Sequence, residues 1–272
     1  MTDQLQFDFL DTVEKKLSKS KLGPIPIDLI YTAGHIGQNA IDEPSYVKTH
    51  CCVAVQSGWL YGIQSTGSGG VCATALYNKK HLPQFIDNNF YNYDHELHVA
   101  GVAKWNPKYT TVCDVMTPEQ CQKARIPYYS LEQILDWAEE LSEHAENVIV
   151  IPKYDCLDRI PEKFMLGYSV PTSHGSTPLL PELFRGRRVH LLGGSWKKQL
   201  SYITQLQKEV VSIDNNYVVR IAKYGRYYDC NGDEKKIEEF LGYNIPNHWS
   251  IATMLSVNNI MYQVRSMYGD KS

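Results

Sequence analysis

Seven short apolar runs, each closed by a polar or glycine-rich turn, constrain this chain more than any other feature of its sequence. They are IDLIYTAG (27–34), QFIDNN (84–89), YTTVCDVM (109–116), VIVIPKY (148–154), FMLGYSV (164–170), RVHLLGG (188–194) and VVSIDNNYV (210–218). Within each run the apolar residues are continuous instead of alternating, the pattern of strands buried on both faces in a parallel sheet. Helix-like stretches lie between them. The clearest spans 130–146, where Ser130 and Gln133 are spaced as a capping box and Leu131, Ile134, Leu135, Ala138 and Leu141 form one stripe. A second, 195–209, is capped by Ser195 after a glycine pair, and 249–268 is mostly helical by pattern. Strand, capped helix and strand in repetition indicate βαβ units. Over 272 residues this predicts an α/β fold, a (β/α)8 TIM-like barrel with one strand unaccounted for. A doubly wound open sheet is the alternative.

Apolar residues make up 43% and charged residues 21%, enough for a sizeable core. The net charge of -3 provides no global basic field, so a nucleic-acid partner would be held by local patches. Seven cysteines, with Cys51 and Cys52 adjacent, do not form an obvious disulfide framework and predict a reducing, cytoplasmic setting (host cytoplasm if the chain is viral). The N-terminal stretch lacks the apolar centre of a signal peptide, and no run approaches the roughly 18 apolar residues of a membrane span, so no membrane partner is expected. Without repeats or low-complexity linkers, residues 1–272 are expected to form one domain. Segment 50–78, β-prone and glycine-rich, is expected to be a hairpin inserted after the first strand. Its STGSGG run (65–70) lacks the Lys-Ser/Thr of a phosphate loop and is expected to be a turn.

The run VVSID leads straight into a carboxylate, Asp214, and a charge at the tip of an apolar strand is costly to bury unless paired or used. In α/β barrels chemistry gathers at the C-terminal ends of the strands. Three runs end in aspartate, at Asp87, Asp114 and Asp214; another carries Gly167, and another ends in Gly193 and Gly194. Such a rim would set three carboxylates around one pocket, with bare backbone against which a planar ligand could lie. Alternatively, each aspartate caps the helix or turn that follows it. Carboxylates sharing a mouth can divide labour: one attacks an anomeric carbon, one shuttles the leaving group's proton, and one accepts hydrogen bonds from the N–H groups of a base. That combination suits N-glycosidic chemistry.

In order along the chain, these segments resemble the tRNA-guanine transglycosylase superfamily, and more closely its small phage-type DNA 7-deazaguanine transglycosylases. FIDNNF is similar to the strand ending in Asp-Ser-Gly-Gly-Phe, which implies a proton-transfer role for Asp87. TVCDVM is similar to the strand ending in Phe-Asp-Glu, which implies that Asp114 recognises the base. MLGYS resembles the Ala-Val-Gly-Glu segment, implying base contact at Gly167 and Tyr168. HLLGGSWKKQL resembles the Leu-Met-Gly-Val-Gly turn, with Gly193 and Gly194, and VVSIDNNYVVRIAKYGRYY falls where the family carries its nucleophile, implying Asp214. The late helix LSVNNIMYQVRSMY also resembles its counterpart. The resemblance covers roughly residues 27–268. It implies a TIM barrel that exchanges guanine for a 7-deazaguanine such as preQ0 through a covalent aspartyl–sugar intermediate, with DNA as the polymer and no cofactor.

The chain departs from the family at several points. Cys230 and His248 alone stand where the tRNA enzymes have a Cys-x-Cys-x-x-Cys and His zinc set, so no zinc subdomain is expected. Asn88 and Asn89 replace the family's glycines, and Lys153 stands near the position of its base-reading glutamine. Candidate phosphate contacts on the active-site side are Lys197, Lys198, Arg220, Lys223 and Arg226, with Lys15, Lys16, Lys19 and Lys21 further candidates. Arg185, Arg187 and Arg188 precede a strand and are expected to form a solvated turn on the opposite face. His35, His174, His190 and His248 are scattered, with no metal-ligand spacing. Three other readings stay open: a tRNA-guanine transglycosylase, an N-glycosyl hydrolase using the same carboxylates, and a non-catalytic partner subunit.

Overall fold

The computed structural model describes residues 25–33, 58–64, 82–172, 175–241 and 249–269. Eight parallel strands close into a barrel in sequence order: β1 (Asp28–Ala33), β2 (Leu60–Gln64), β3 (Phe85–Asp87), β4 (Tyr109–Thr111), β5 (Asn147–Val150), β6 (Met165–Ser169), β7 (Val189–Leu192) and β8 (Val210–Asp214). The ring is completed by parallel pairing of β8 with β1, in the register Ile30 opposite Asp214. All seven apolar runs supply barrel strands. The eighth strand, β2, comes from the segment expected to be a hairpin insertion, and it pairs in parallel with β1 and β3. Residues 60–64 are therefore part of the barrel wall. Glycine-rich flanks obscured a strand of only five residues, LYGIQ. The remainder of the proposed insertion, apart from 58–59, and the STGSGG turn lie outside the described residues, as do Lys15, Lys16, Lys19, Lys21, His35, His174 and His248.

Residues alternate between the two faces of the wall. Ile30, Phe85, Tyr109, Ile149, Ile151 and Met165 form one buried cluster that fills the barrel. Their strand neighbours Leu29, Tyr31, Ile86, Val148, Val150, Leu166 and Tyr168 belong to the larger cluster shared with the outer helices. Both faces are apolar, which explains the continuous runs.

Helices α1 (His95–Trp105), α2 (Pro118–Ala124) and α3 (Leu131–Ser142) follow β3 and β4, and α4 (Trp196–Leu206) follows β7. Among the described residues, 3-10 turns are the only helical segments between β5 and β7. α3 buries Leu131, Ile134, Ala138 and Leu141 as its stripe predicts, and Ser130 Oγ accepts from Gln133 N. The reciprocal capping box occurs instead at α2, between Thr117 and Gln120. Ser195 precedes α4 without a side-chain cap bond. After β8 come α5 (Tyr217–Ala222), the antiparallel pair β9 (Arg226–Tyr228) and β10 (Glu234–Lys236), α6 (Ile237–Leu241) and α7 (Trp249–Gly269). One polar side of α7 fastens this hairpin: Ser256 Oγ accepts from Tyr228 N, Asn259 donates to Tyr228 O and Gln263 donates to Cys230 O. The RGRR turn before β7 is structural. Arg187 donates to the carbonyls of Leu157, Pro161 and Phe164, and Arg188 to Asn147 Oδ1 and Lys163 O. No described helix is long and apolar enough to cross a membrane.

Candidate functional site

Asp87 ends β3 and Asp214 ends β8; Asp114 lies three residues past β4, beside a parallel bridge between Val115 and Pro152. All three line one cavity of about 390 Å³ at the C-terminal mouth of the barrel. That volume is in the range of small-molecule sites. None of the three caps a described helix: Asp94 caps α1, Thr117 caps α2, and α5 begins at Asn216 without a side-chain cap bond.

Asp87 Oδ1 accepts from Thr111 Oγ1 at 2.9 Å, and Thr111 in turn receives Asn88 N at 2.7 Å. Burial, then repulsion from Asp214, raises the Asp87 carboxyl to about 7 against the Thr111 bond that favours its charge. The group thus exchanges its proton near neutrality. Asn88 Nδ2 donates to Val112 O at 2.8 Å and so ties β3 to the end of β4.

Asp114 Oδ2 lies 3.1 Å from Lys153 Nζ, with side chains 9% and 10% exposed. Burial pushes the Asp114 carboxyl upward, and the Lys153 ammonium pulls it back. Lys153 also donates to Ser169 Oγ at 2.5 Å and reaches Ser176 O at 3.4 Å. Its hydrogen-bonding capacity is spent on the protein, so it holds Asp114 and Ser169 in the cavity wall instead of standing free to read a base.

Asp214 is 15% exposed, and its Oδ1 accepts from Gly193 N at 2.9 Å. Gly193 and Gly194 have φ of 60° and 84°, and a Cβ on Gly194 would stand 2.5 Å from Val170 Cγ1. The glycine pair is therefore needed to bring that N–H over the carboxylate. Fully buried Gln199, from α4, joins the two strand ends by donating to Gly193 O at 2.9 Å and Asp214 O at 2.7 Å. Asn215 completes the brace with a 2.8 Å bond to Gln199 Oε1.

The remaining sequence candidates divide. Gly167 does not line the cavity. A Cβ there would stand 2.7 Å from Ile151 Cγ1 and 2.8 Å from Leu192 Cδ1, so its bareness lets these cavity-lining residues close over the barrel interior. Tyr168 is turned away: strand alternation sends Ser169 to the cavity and Tyr168 to the outer layer, against Phe184 and Tyr202. Lys197 is paired with Asp233 at 2.7 Å and Arg226 with Glu234 at 3.5 Å, which weakens both as phosphate contacts. Lys198 donates to Pro171 O, beside the cavity-lining Thr172, while exposed Arg220 lies over the Tyr217 ring and Lys223 is exposed on the same segment. Sequence reasoning passed over Gln199 and Ser169, polar residues at strand and helix positions that gave no motif. Among the described residues, no group of three or more His, Cys, Asp or Glu is arranged to hold a metal ion.

The fold and site together define an α/β barrel with three carboxylates and one lysine gathered at the C-terminal mouth. The chain belongs to DUF6610, a family of unknown function, whose pattern matches residues 54–258. No curated protein matches it significantly.

Proposed function

We propose that this protein is a guanine transglycosylase on a TIM-type (β/α)8 barrel, replacing guanine in DNA with a 7-deazaguanine of the preQ0 type. The observation that carries the reading is the pairing, in one cavity, of a strand-end carboxylate held by a backbone N–H, Asp214, with a second carboxyl that gains and loses its proton near pH 7, Asp87. Protonated Asp87 delivers its proton to the departing guanine as an Asp214 oxygen attacks C1′. The C1′–N9 bond breaks, its electron pair leaves with the base, and a deoxyribosyl ester forms. Ionised Asp87 then takes the N9 proton of the incoming 7-deazaguanine, which attacks C1′ and returns the C–O electron pair to Asp214. One residue thus serves as acid and then base, which a proton affinity near neutrality favours. Asp114, paired with Lys153, accepts from the N–H edge of the base. The target nucleotide must leave the stack to reach this depth, with its phosphates near Lys198, Arg220 and Lys223.

The test offers radiolabelled guanine with DNA and with tRNA separately, using Asp214→Ala as control. Label entering DNA, and lost in the variant, is the expected result. Label entering tRNA instead would move the protein to the tRNA branch. Release of free base without incorporation would make it an N-glycosyl hydrolase, and no reaction with either polymer would overturn the catalytic reading.

A further inference from the structure

His190 is fully buried inside the barrel, on β7, beside the apolar cluster that fills it. It stacks on Phe85 with ring centroids 5.3 Å apart, and its Nδ1 lies 2.8 Å from Ser212 Oγ on β8. Its other nitrogen, Nε2, has no hydrogen-bond partner among the described residues. An orphaned buried donor or acceptor is destabilising, so Nε2 calls for a role beyond filling space. Nε2 lies 3.4 Å from Asp214 Oδ1, outside hydrogen-bond geometry.

A register shift between β7 and β8 produces this alignment. Val189 is paired with Val210 but His190 with Ser212, so Val211 is an extra residue that lifts the end of β8 by one position. Bulges of this kind re-aim side chains beside active sites. Ser212 and Asp214, two apart on one strand, then face the same interior as His190. If Ser212 donates its hydroxyl proton to Nδ1, the neutral ring carries its own proton on Nε2. That places a second N–H 3.4 Å from Oδ1, the atom that Gly193 N binds. Among the described residues Oδ2 has no hydrogen-bond partner, so it is the oxygen left to the cavity.

We propose that His190 is the positioning residue of Asp214. Its Nε2–H and the Gly193 N–H hold Oδ1, presenting Oδ2 to the anomeric carbon. The contact tightens from 3.4 Å when substrate fills the cavity, as active-site hydrogen bonds commonly do. When the ester is cleaved, charge returns to the carboxylate, and the same two donors stabilise it. The catalytic part of this inference rests on the proposed base exchange; the pairing of His190 with Asp214 does not.

Two measurements on the full chain test it. In 15N-histidine spectra, His190 is expected as the Nε2–H tautomer, with its Nε2 resonance moving in Asp214→Asn. An Nδ1–H tautomer insensitive to that change overturns the proposal whatever the protein catalyses. In the exchange assay, His190→Phe is expected to lower kcat about 100-fold, the scale of a misplaced reacting group, with KM little changed. Because His190→Phe removes the orphaned Nε2 but leaves the fully buried Ser212 Oγ without its 2.8 Å partner, rates are compared per folded molecule. His190→Gln, which can still direct an N–H at Oδ1, should recover part of the rate. A His190→Phe protein exchanging base at the wild-type rate returns His190 to the role of barrel filler. If wild-type protein exchanges no base while the tautomer and shift are as expected, the reaction assignment fails and the His190–Asp214 pairing stands.

Discussion

Replacing Asp87 by asparagine should stabilise the protein at pH 8, although it removes a residue proposed to be catalytic. The Asp87 carboxyl is raised from 3.8 to about 7 by burial and by the Asp214 charge. The folded chain therefore binds this proton more tightly than the unfolded chain does. Its contribution is fully present below pH 3.8, is lost as pH rises towards 7, and is level above that. Each tenfold in proton affinity is worth about 1.4 kcal/mol, so roughly three powers of ten set an upper limit of about 4 kcal/mol. The asparagine in Asp87→Asn keeps the shape and can still accept from Thr111 Oγ1, so the variant escapes the penalty without leaving a cavity. For a chain of this size about 4 kcal/mol corresponds to roughly 10 °C in Tm. The assay is thermal or urea unfolding of both proteins from pH 4 to pH 9. The difference should be small near pH 4, widen by about 1.4 kcal/mol per pH unit and flatten above pH 7. In an Asp214→Asn background the widening should stop at lower pH, because the second contribution to the shift is gone. Parallel stability curves for the two proteins would refute the argument, since Asp87 would then titrate alike in the folded and unfolded chains.

Gly167→Ala should destabilise by about 1–3 kcal/mol in urea unfolding, because its Cβ meets Ile151, Leu192 and Ile149 within 3.0 Å. Lys153→Met leaves the Asp114 carboxylate buried alone and should cost about 3–5 kcal/mol at pH 8, and less as pH falls, because burial favours the protonated carboxyl. The double variant with Asp114→Asn should regain most of that loss, as measured by Tm at pH 8. Arg187→Ala removes the donor shared by three backbone carbonyls and should lower stability by about 2 kcal/mol, with base exchange per folded molecule unchanged.

The barrel was legible because burial on both faces writes itself into continuous apolar runs, and seven such runs became seven strands. β2 was not legible, since LYGIQ is short and lies between glycine-rich stretches that indicate turns. The carboxylates were visible for a related reason: an aspartate closing an apolar run conflicts with its surroundings, and three such conflicts, two at strand ends and Asp114 three residues past β4, met in one cavity. Side-chain direction was harder to read. Tyr168 was grouped with Gly167 as a base contact, yet one step along a strand reverses the facing of a residue, and Ser169 faces the cavity instead. The surface cations were misleading because sequence does not reveal their partners: Asp233 and Glu234, on the hairpin after β8, claim Lys197 and Arg226. His190 was noticed only as one of several scattered histidines, because its proximity to Asp214 depends on the one-residue bulge at Val211.

The seam of the barrel joins strands from near the two ends of the described chain. β1 meets β8 with Ile30 opposite Asp214, and Ile30 O receives Asn215 N at 2.9 Å. Contacts so distant in sequence carry the largest loop-closure entropy, and folds that depend on them form slowly. Asp214 is therefore seated by one of the most entropically demanding pairings in the molecule. A partly synthesised chain, or an intermediate with an open sheet, would have most of the hydrophobic wall but an unseated Asp214. The event that closes the ring also completes the carboxylate cavity.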